Sequence, residues 1–371
     1  MKPIMKNIFY ITYSAIPSEL PSSLQIIKTC ESLIKNKNLV TLVKPGTGSK
    51  KESIKKYYGI KENIKIKEFS NIKNFPQGIE FYLYSFYCLF YILRKKKPII
   101  ITRNYFICYL LLLFRKKVIL EIHHDTNIEG KIIKLLLKYT NFLNKKSLIN
   151  IIAISNSVKS LFIKKYLVEA KKITVLPSGS SIKVSKFPGN IYNKRLKIGY
   201  FGSISSSKGI KTLIKLSKID LKNDYYIFGG NKKQIQKLRT QNINRNLFFS
   251  AHVAYKSLPK IMMKMDILTI PYTKKLHSAG EVDDISKFTS PLKLFDYLAV
   301  GKIIISSNLE VLREVIGHKN AYLINNFENI FEWKKNIEIA KNNKIKNLII
   351  CKNNLILSKK FDHIRRVKKY I

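Results

Sequence analysis

Apolar residues along this chain follow two alternating rhythms, short continuous runs and stripes spaced three or four apart. That alternation predicts a layered α/β protein. Residues 8–11 form a short β-rich run. The loop IPSELPSS leads from it into LQIIKTCESLIKN, where Leu24, Ile27, Cys30 and Ile34 make the apolar stripe of a helix that Ser22 or Ser23 can cap. Residues 39–43 are the next strand, and strand, loop, helix, strand is the opening of a parallel sheet. Further strands are expected at 98–102, 118–122, 149–155 and 172–179, with a helix at 105–114.

Residues 178–195, SGSSIKVSKFPGNIYNKR, are polar, carry Gly and Pro and lack periodicity, so they read as a linker between domains. A second α/β series then begins. Strands are predicted at 196–201, 225–228, 247–249 and 267–270. The helix IKTLIKLSKI follows the first of them. The helix PLKLFDYLAVG, the strand KIIISS and a helical tail ending FDHIRRVKKYI close the chain.

Length agrees with this division, since 371 residues suit two domains at roughly 100–200 residues each. Charge changes the picture more: 69 Lys plus Arg against 23 Asp plus Glu give a formal net +46. With 46% hydrophobic and 11% aromatic residues the chain has ample surface to bury, which excludes disorder. The excess is mostly Lys scattered among Ile and Asn, the mixture an A/T-rich coding sequence gives. No stripe of Arg and Lys interleaved with aromatics stands out, so no specific nucleic-acid partner is expected.

Cys30, Cys88, Cys108 and Cys351 lie far apart with no C-x-x-C pair, which argues against zinc and disulfides and fits reduced thiols in a cytosolic compartment. The start, MKPIMKNIFYITYSA, has a basic front, but Thr12, Tyr13 and Ser14 interrupt its apolar run. It reads as a strand and not as a signal peptide. The stretch IEFYLYSFYCLFYILRKKK falls short of the roughly 20 residues a membrane-spanning helix needs. It reads as a buried helix, or one that also touches a membrane surface.

The segment richest in candidate chemistry is FTSPLKLFDYLAVGKIIISSNLEVLREVI. Ser290 is the expected N-cap, Pro291 the first helical residue, and Gly301 the terminator. Such a helix start presents free N–H groups and a positive dipole end to an anion. Asp296, on the second turn, can accept hydrogen bonds from sugar hydroxyls. An ordinary capped helix ahead of a strand fits the same pattern.

This run resembles the donor-binding segment of glycosyltransferase family 4, in which a form close to S-P-L-K-L-F-E-Y-[LM]-A-x-G-K recurs. IGYFGSISSSKGIKTLIKL is similar to the family's strand, Gly loop and KG helix, and LFFSAHVAYKSLPKIMMKMDILTIPY to its next block. In the first half PSSLQIIKTCESL, IIITRNYF and VILEIHHD resemble its first helix, its T-R strand and its E-x-H segment. The resemblance implies the GT-B fold, an α/β architecture of two Rossmann-like domains facing each other across a cleft. It implies an acceptor domain at 1–183, a nucleotide-sugar domain at 184–355, and a final helix at 356–371 crossing back to the first. Such enzymes retain anomeric configuration, need no metal and no cofactor, and take a nucleoside-diphosphate sugar as donor.

Carried over by position, the resemblance assigns Lys208 to the donor diphosphate and Gly202 to close backbone approach. Ser290, Pro291 and Leu292 become the phosphate-facing helix start. Asp296 is expected at the nucleoside ribose. His123 is expected near the donor sugar, with His124 a neighbour, and Glu121 either contacts substrate or braces the loop. Ser22 and Ser23 stand where relatives carry a Gly pair, and Ser203 where many have Arg. The first acid of the family's E-x7-E pattern falls at Phe288, which leaves Glu281, Asp283 or Asp284 as substitutes.

The leading expectation is therefore a sugar transferase acting on a carbohydrate or lipid-linked acceptor in bacterial surface polysaccharide or glycolipid synthesis. It is expected in the cytoplasm and, given its charge, at the inner face of an anionic membrane. A nucleotide-sugar epimerase of similar fold and a non-catalytic basic binding protein stay open as alternatives.

Overall fold

The computed structural model describes residues 5–46, 51–70, 78–126, 129–184, 194–277 and 284–370, with 51–53 as backbone. The chain forms two units, Met1–Ser178 with His363–Ile371, and Gly179–Asp362. In the first, strand and helix alternate through β1 (Asn7–Ile11), α1 (Pro21–Lys35), β2 (Leu39–Pro45), α2 (Lys51–Tyr58), β3 (Lys65–Phe69) and α3 (Ile79–Leu93). The series continues with β4 (Ile99–Thr102), α4 (Tyr105–Leu113), β5 (Lys117–Ile122), α5 (Lys131–Tyr139), β6 (Leu148–Ala153), α6 (Asn156–Tyr166) and β7 (Ile173–Val175). The strands pair in parallel in the order β3-β2-β1-β4-β5-β6-β7.

The second unit repeats the plan. It runs β8 (Lys197–Phe201), α7 (Ile210–Ile219), β9 (Asp224–Phe228), α8 (Lys232–Gln241), β10 (Leu247–Ser250), α9 (Leu258–Met263) and β11 (Ile267–Ile270). Then come α10 (Leu292–Val300), β12 (Ile303–Ser307), α11 (Glu310–Arg313), β13 (Tyr322–Ile324), α12 (Ile330–Asn342) and α13 (Lys344–Ser358). The order is β10-β9-β8-β11-β12-β13, again parallel, so the strand order reverses beside β8 as in a doubly wound dinucleotide fold.

Parallel strands covered by helices on both faces read as largely apolar runs, and β5 is buried from Val118 to Ile122 with Glu121 the one polar residue of that run. Along β8 the side chains alternate between two cores. Ile198 and Tyr200 join Leu213, Ile227 and Trp333, while Phe201 joins Leu268, Phe295 and Leu298. The four cysteines are buried and free.

Several local features differ from the sequence-based expectation. Helix α1 begins at Pro21 with Leu20 as its N-cap and no side-chain cap bond, so neither Ser22 nor Ser23 caps it. Proline fixes φ and has no N–H to satisfy, which favours the first helical position over the loop. Helix α10 starts one residue later than expected: Pro291, with extended backbone, is itself the N-cap and Leu292 the first helical residue. Strand β3, KIKEF, went unread because lysine fills a sheet edge, where charge discourages pairing with other chains.

The last helix, α14 (His363–Val367), belongs to the first unit and packs on α1. Its anchor is Glu121 on β5, a fully buried carboxylate. Glu121 Oε2 accepts from Arg103 Nε at 2.7 Å and from the Tyr10 hydroxyl; Oε1 accepts from the Tyr370 hydroxyl and lies 3.5 Å from Arg366 Nη2. Burial pushes the carboxyl pKa up, but Arg103, His123 and Arg366 outweigh it and hold it well below the usual range. Arg366 also donates to the carbonyl of Pro177 at 2.9 Å. Among the described residues no helix is long and apolar enough to cross a membrane.

This network sets a stability contrast. Arg366→Leu removes one buried cation from Glu121 and is expected to cost about 3 kcal/mol in urea unfolding. Lys171→Ala, which breaks an exposed pair with Glu169, is expected to leave the urea midpoint unchanged.

Candidate functional site

In the second unit the carboxyl ends of β8 and β11 carry most of the candidate residues. Beyond Phe201 the chain turns at Gly202, whose N–H donates to the carbonyl of Phe228 at 2.9 Å. Gly229, at the end of β9, lies so close that a Cβ there would fall 1.8 Å from the Gly202 oxygen. A short 3-10 turn, Ser206–Lys208, then runs into Gly209 at φ +77°. A Cβ on Gly209 would stand 1.6 Å from the Pro271 carbonyl oxygen, so the turn is pressed on the end of β11. Thr273 completes the clamp, its N–H and hydroxyl donating to the Ser207 carbonyl at 3.2 and 3.1 Å. Lys208 is thereby held at a fixed place.

A second lysine meets it. Lys293, on the first turn of α10, sets its Nζ 3.7 Å from the centroid of the Tyr200 ring and 5.1 Å from that of Tyr272. Lys208 Nζ stands 5.0 Å from the same Tyr272 ring. Lys293 Nζ is buried and has no hydrogen-bond partner among the described residues. A Cβ on Gly202 would come within 2.5 Å of it. Burial lowers the Lys208 ammonium to a pKa of about 8. Burial, and secondly the charge of Lys208, push Lys293 well below the ordinary lysine value. No carboxylate among the described residues offsets either shift, so neither lysine has a described counterion.

The start of α10 adds to this field. It has no side-chain cap and no acidic residue in its first turn, and its unpaired N–H groups carry about half a positive charge. Two lysine side chains, a helix start and a side-chain-free Gly202 together form a place for an anion with several oxygens. Ser290, Pro291 and Leu292 sit at this helix start, half-buried, and Ser203 is exposed beside it with its carbonyl accepting from Tyr200 at 2.8 Å.

Asp296 lies one turn deeper and is buried. Its Oδ1 accepts from Ser180 Oγ at 2.6 Å and from the Tyr255 hydroxyl at 3.2 Å, which ties α10 to the segment entering this unit. His277 is a further polar group near the turn. Its N–H donates to Ser207 Oγ at 3.2 Å, and its buried Nδ1 has no partner among the described residues. Glu281 and Asp283 lie outside the described residues. Asp284 is near the surface and accepts from the amides of Leu276 and Ser286 at 3.3 and 2.9 Å.

The first unit gathers a separate group. His123 follows β5, with Nε2 3.9 Å from Glu121 Oε2, too far for a hydrogen bond. Burial and the Arg103 charge lower its pKa to about 4, so the imidazole is neutral at pH 7. His124 places Nδ1 3.0 Å from the Asp125 carbonyl. Ser23 is buried and donates to the carbonyls of Ser18 and Leu20, whereas Ser22 is half-buried on the first turn of α1.

Sequence reading quoted Lys293 inside the SPLK motif and gave it no role. The lysine stood in plain view, but only folding puts it over Tyr200 and beside Gly202. Tyr200 and Tyr272 were missed for the same reason, since a strand tyrosine reads as core.

Comparison with known proteins fits this geometry. Residues 181–355 match the sequence model of the family described as glycosyl transferases group 1. No curated protein matches the chain in sequence. Among solved structures it is similar to HepE of Anabaena in complex with UDP, at 15% identity over 98% of both chains with a TM-score of 0.70. The UDP-glucose complex of the same Anabaena protein gives 16% identity, 98% of both chains and a TM-score of 0.67. A glycosyltransferase of Rickettsia africae is similar at 15% identity over 98% of this chain and 96% of its own, with a TM-score of 0.71. At such identities the likeness establishes fold, and the fold is GT-B, two parallel α/β units.

Two glycines test the packing of the turn. Gly209→Ala meets a backbone oxygen and is expected to cost about 3 kcal/mol in urea unfolding. Gly202→Ala meets the flexible end of Lys293 and is expected to cost about 1 kcal/mol, so the two midpoints should separate clearly.

Proposed function

We propose that the protein is a retaining glycosyltransferase that moves a sugar from a nucleoside-diphosphate sugar to a carbohydrate or lipid-linked acceptor. The observation that carries this reading is the pair Lys208 and Lys293, two amines with no carboxylate partner among the described residues, at the start of α10. They lie within the segment that matches the group 1 glycosyltransferase family. Breaking the bond between sugar and diphosphate builds negative charge on the leaving phosphate. Fixed donors in a poorly hydrated pocket stabilise that charge most, which is the differential binding a transferase needs.

In this reading Gly202, Ser203, Ser290, Pro291 and Leu292 line the phosphates, and Asp296 faces the nucleoside ribose. Neutral His123 contacts the sugar, with Glu121 fixing the strand that carries it. The lysines do the work a divalent metal does elsewhere, so activity is expected to persist in chelator. Synthesis of bacterial surface polysaccharide or glycolipid is the setting we assign. The solved complexes of HepE with UDP and UDP-glucose make uridine nucleotides the first donors to test.

Membrane attachment is the second part of the proposal. On α3 the residues Phe86, Tyr87 and Phe90 are exposed, and Arg94 to Lys97 follow the helix end. Ile132, Leu135 and Tyr139 are exposed on α5 among Lys131, Lys134 and Lys138. Aromatic side chains flanked by lysine suit the interface of an anionic bilayer, each well-placed cation adding about 1 kcal/mol.

A thermal-shift panel of UDP, GDP, ADP and their sugars is expected to raise Tm with one nucleotide series, and Lys208→Ala to abolish the rise. No shift with any of them removes the transferase reading; an epimeric nucleotide sugar formed without acceptor would instead favour an epimerase. For the membrane, flotation with vesicles rich in phosphatidylserine is expected to carry the protein upward, and the double variant Phe86→Asp, Phe90→Asp to leave it behind. Equal flotation of both proteins would exclude this face.

A further inference from the structure

The two lysines are not equivalent. Lys208 is partly open to solvent, whereas Lys293 Nζ is closed in by the Tyr200 ring, the Cα of Gly202 and Tyr272. The groups facing it are Tyr200 from β8, Lys208 from the 3-10 turn and Tyr272 after β11. On its own helix Asp296 is bonded to Ser180 and Tyr255, and the Tyr297 hydroxyl oxygen accepts from the Phe201 N–H at 2.9 Å. No described carboxylate neutralises Lys293. A charge there has the tyrosine face for support but loses its water and is repelled by Lys208, so the empty site favours the neutral amine.

We infer that Lys293 is a conditional cation, an amine in the empty site that takes one proton from solvent when a diphosphate arrives. The balance is simple: the Lys293 lone pair accepts a proton, R–NH2 becomes R–NH3⁺, and the buffer supplies the proton. When the diphosphate leaves, the proton returns to solvent. The incoming anion provides the counterion that no described residue supplies, and Lys293 then donates to a phosphate oxygen. The inference rests on the proposed donor site and adds a linkage to it, so that nucleotide-sugar binding consumes protons and weakens as pH rises. The sign is fixed, because a ligand that prefers the protonated lysine raises its pKa and binds best where that proton is already available.

Isothermal titration in buffers of different ionisation enthalpy measures the uptake directly. UDP-glucose, GDP-mannose and ADP-glucose are the probes, because their diphosphate diesters do not titrate near neutrality. At pH 7 Lys208, with its pKa of about 8, is already roughly nine-tenths protonated and contributes little. Most of one proton is therefore expected to be taken up per nucleotide sugar bound, and it is assigned to Lys293. Lys293→Met is expected to bind at least about tenfold more weakly and to show no uptake. Lys293→Arg, charged at any pH, is expected to bind without uptake. Binding with the same enthalpy in every buffer overturns the linkage and leaves the transferase reading standing. Uptake that survives in folded Lys293→Met overturns the assignment to this residue. Absence of binding by all three sugars and by inorganic pyrophosphate overturns the site itself.

Discussion

A parallel strand can reach its neighbour only by crossing back over the sheet, and that constraint arranges this molecule. Each strand points the same way as its neighbours, so in each unit the turns that follow the strands gather at the carboxyl end of that unit's own sheet. In the second unit the order reverses beside β8, and the turns after β8 and β11 part there. Gly202, Lys208 and Tyr272 come from those turns, and α10 delivers Lys293 to the same place. Residues far apart in the chain meet because topology sends each of them to the carboxyl end of the sheet, where the strand order reverses.

Within that frame the two units treat buried charge in opposite ways. In the first, Glu121 is surrounded by Arg103, Arg366 and two tyrosine hydroxyls, and the carboxylate is fully satisfied. Such a cluster holds elements together and has little left to offer a ligand. In the second unit Lys208 and Lys293 have no acid beside them among the described residues, although a buried ammonium is costly. A structural role gives no reason to leave that cost unrelieved, whereas an anionic ligand relieves it. The excess of 69 basic over 23 acidic residues says nothing of this by itself, since most of those lysines are solvated.

Much of the architecture was legible in the sequence. The apolar runs at β1, β5, β8 and β12 are so continuous that only a sheet covered on both faces accounts for them. Helix α10 was legible through Pro291 and Gly301, although proline took the N-cap in place of Ser290. Strand β3 escaped because its lysines belong to a sheet edge, and the edge is a property of the assembled sheet. The candidate site divides in the same way. Lys208 and Gly202 lie in a turn whose glycines are readable, because only glycine tolerates the contacts with Pro271 and Gly229.

The sequence by itself determined the alternation of strands and helices, the division into two α/β parts and the motif at 290–301, because periodicity and glycine placement act over a few residues. Tertiary structure alone decided that Glu121 is a saturated hub, that Arg366 and Tyr370 return to reach it, and that Lys293 faces Tyr200 beside Gly202. The physical reason is that charge is judged by its surroundings. A lysine in a sequence is an ordinary cation, and only its burial, with no described carboxylate beside it, gives Lys293 a chemistry of its own.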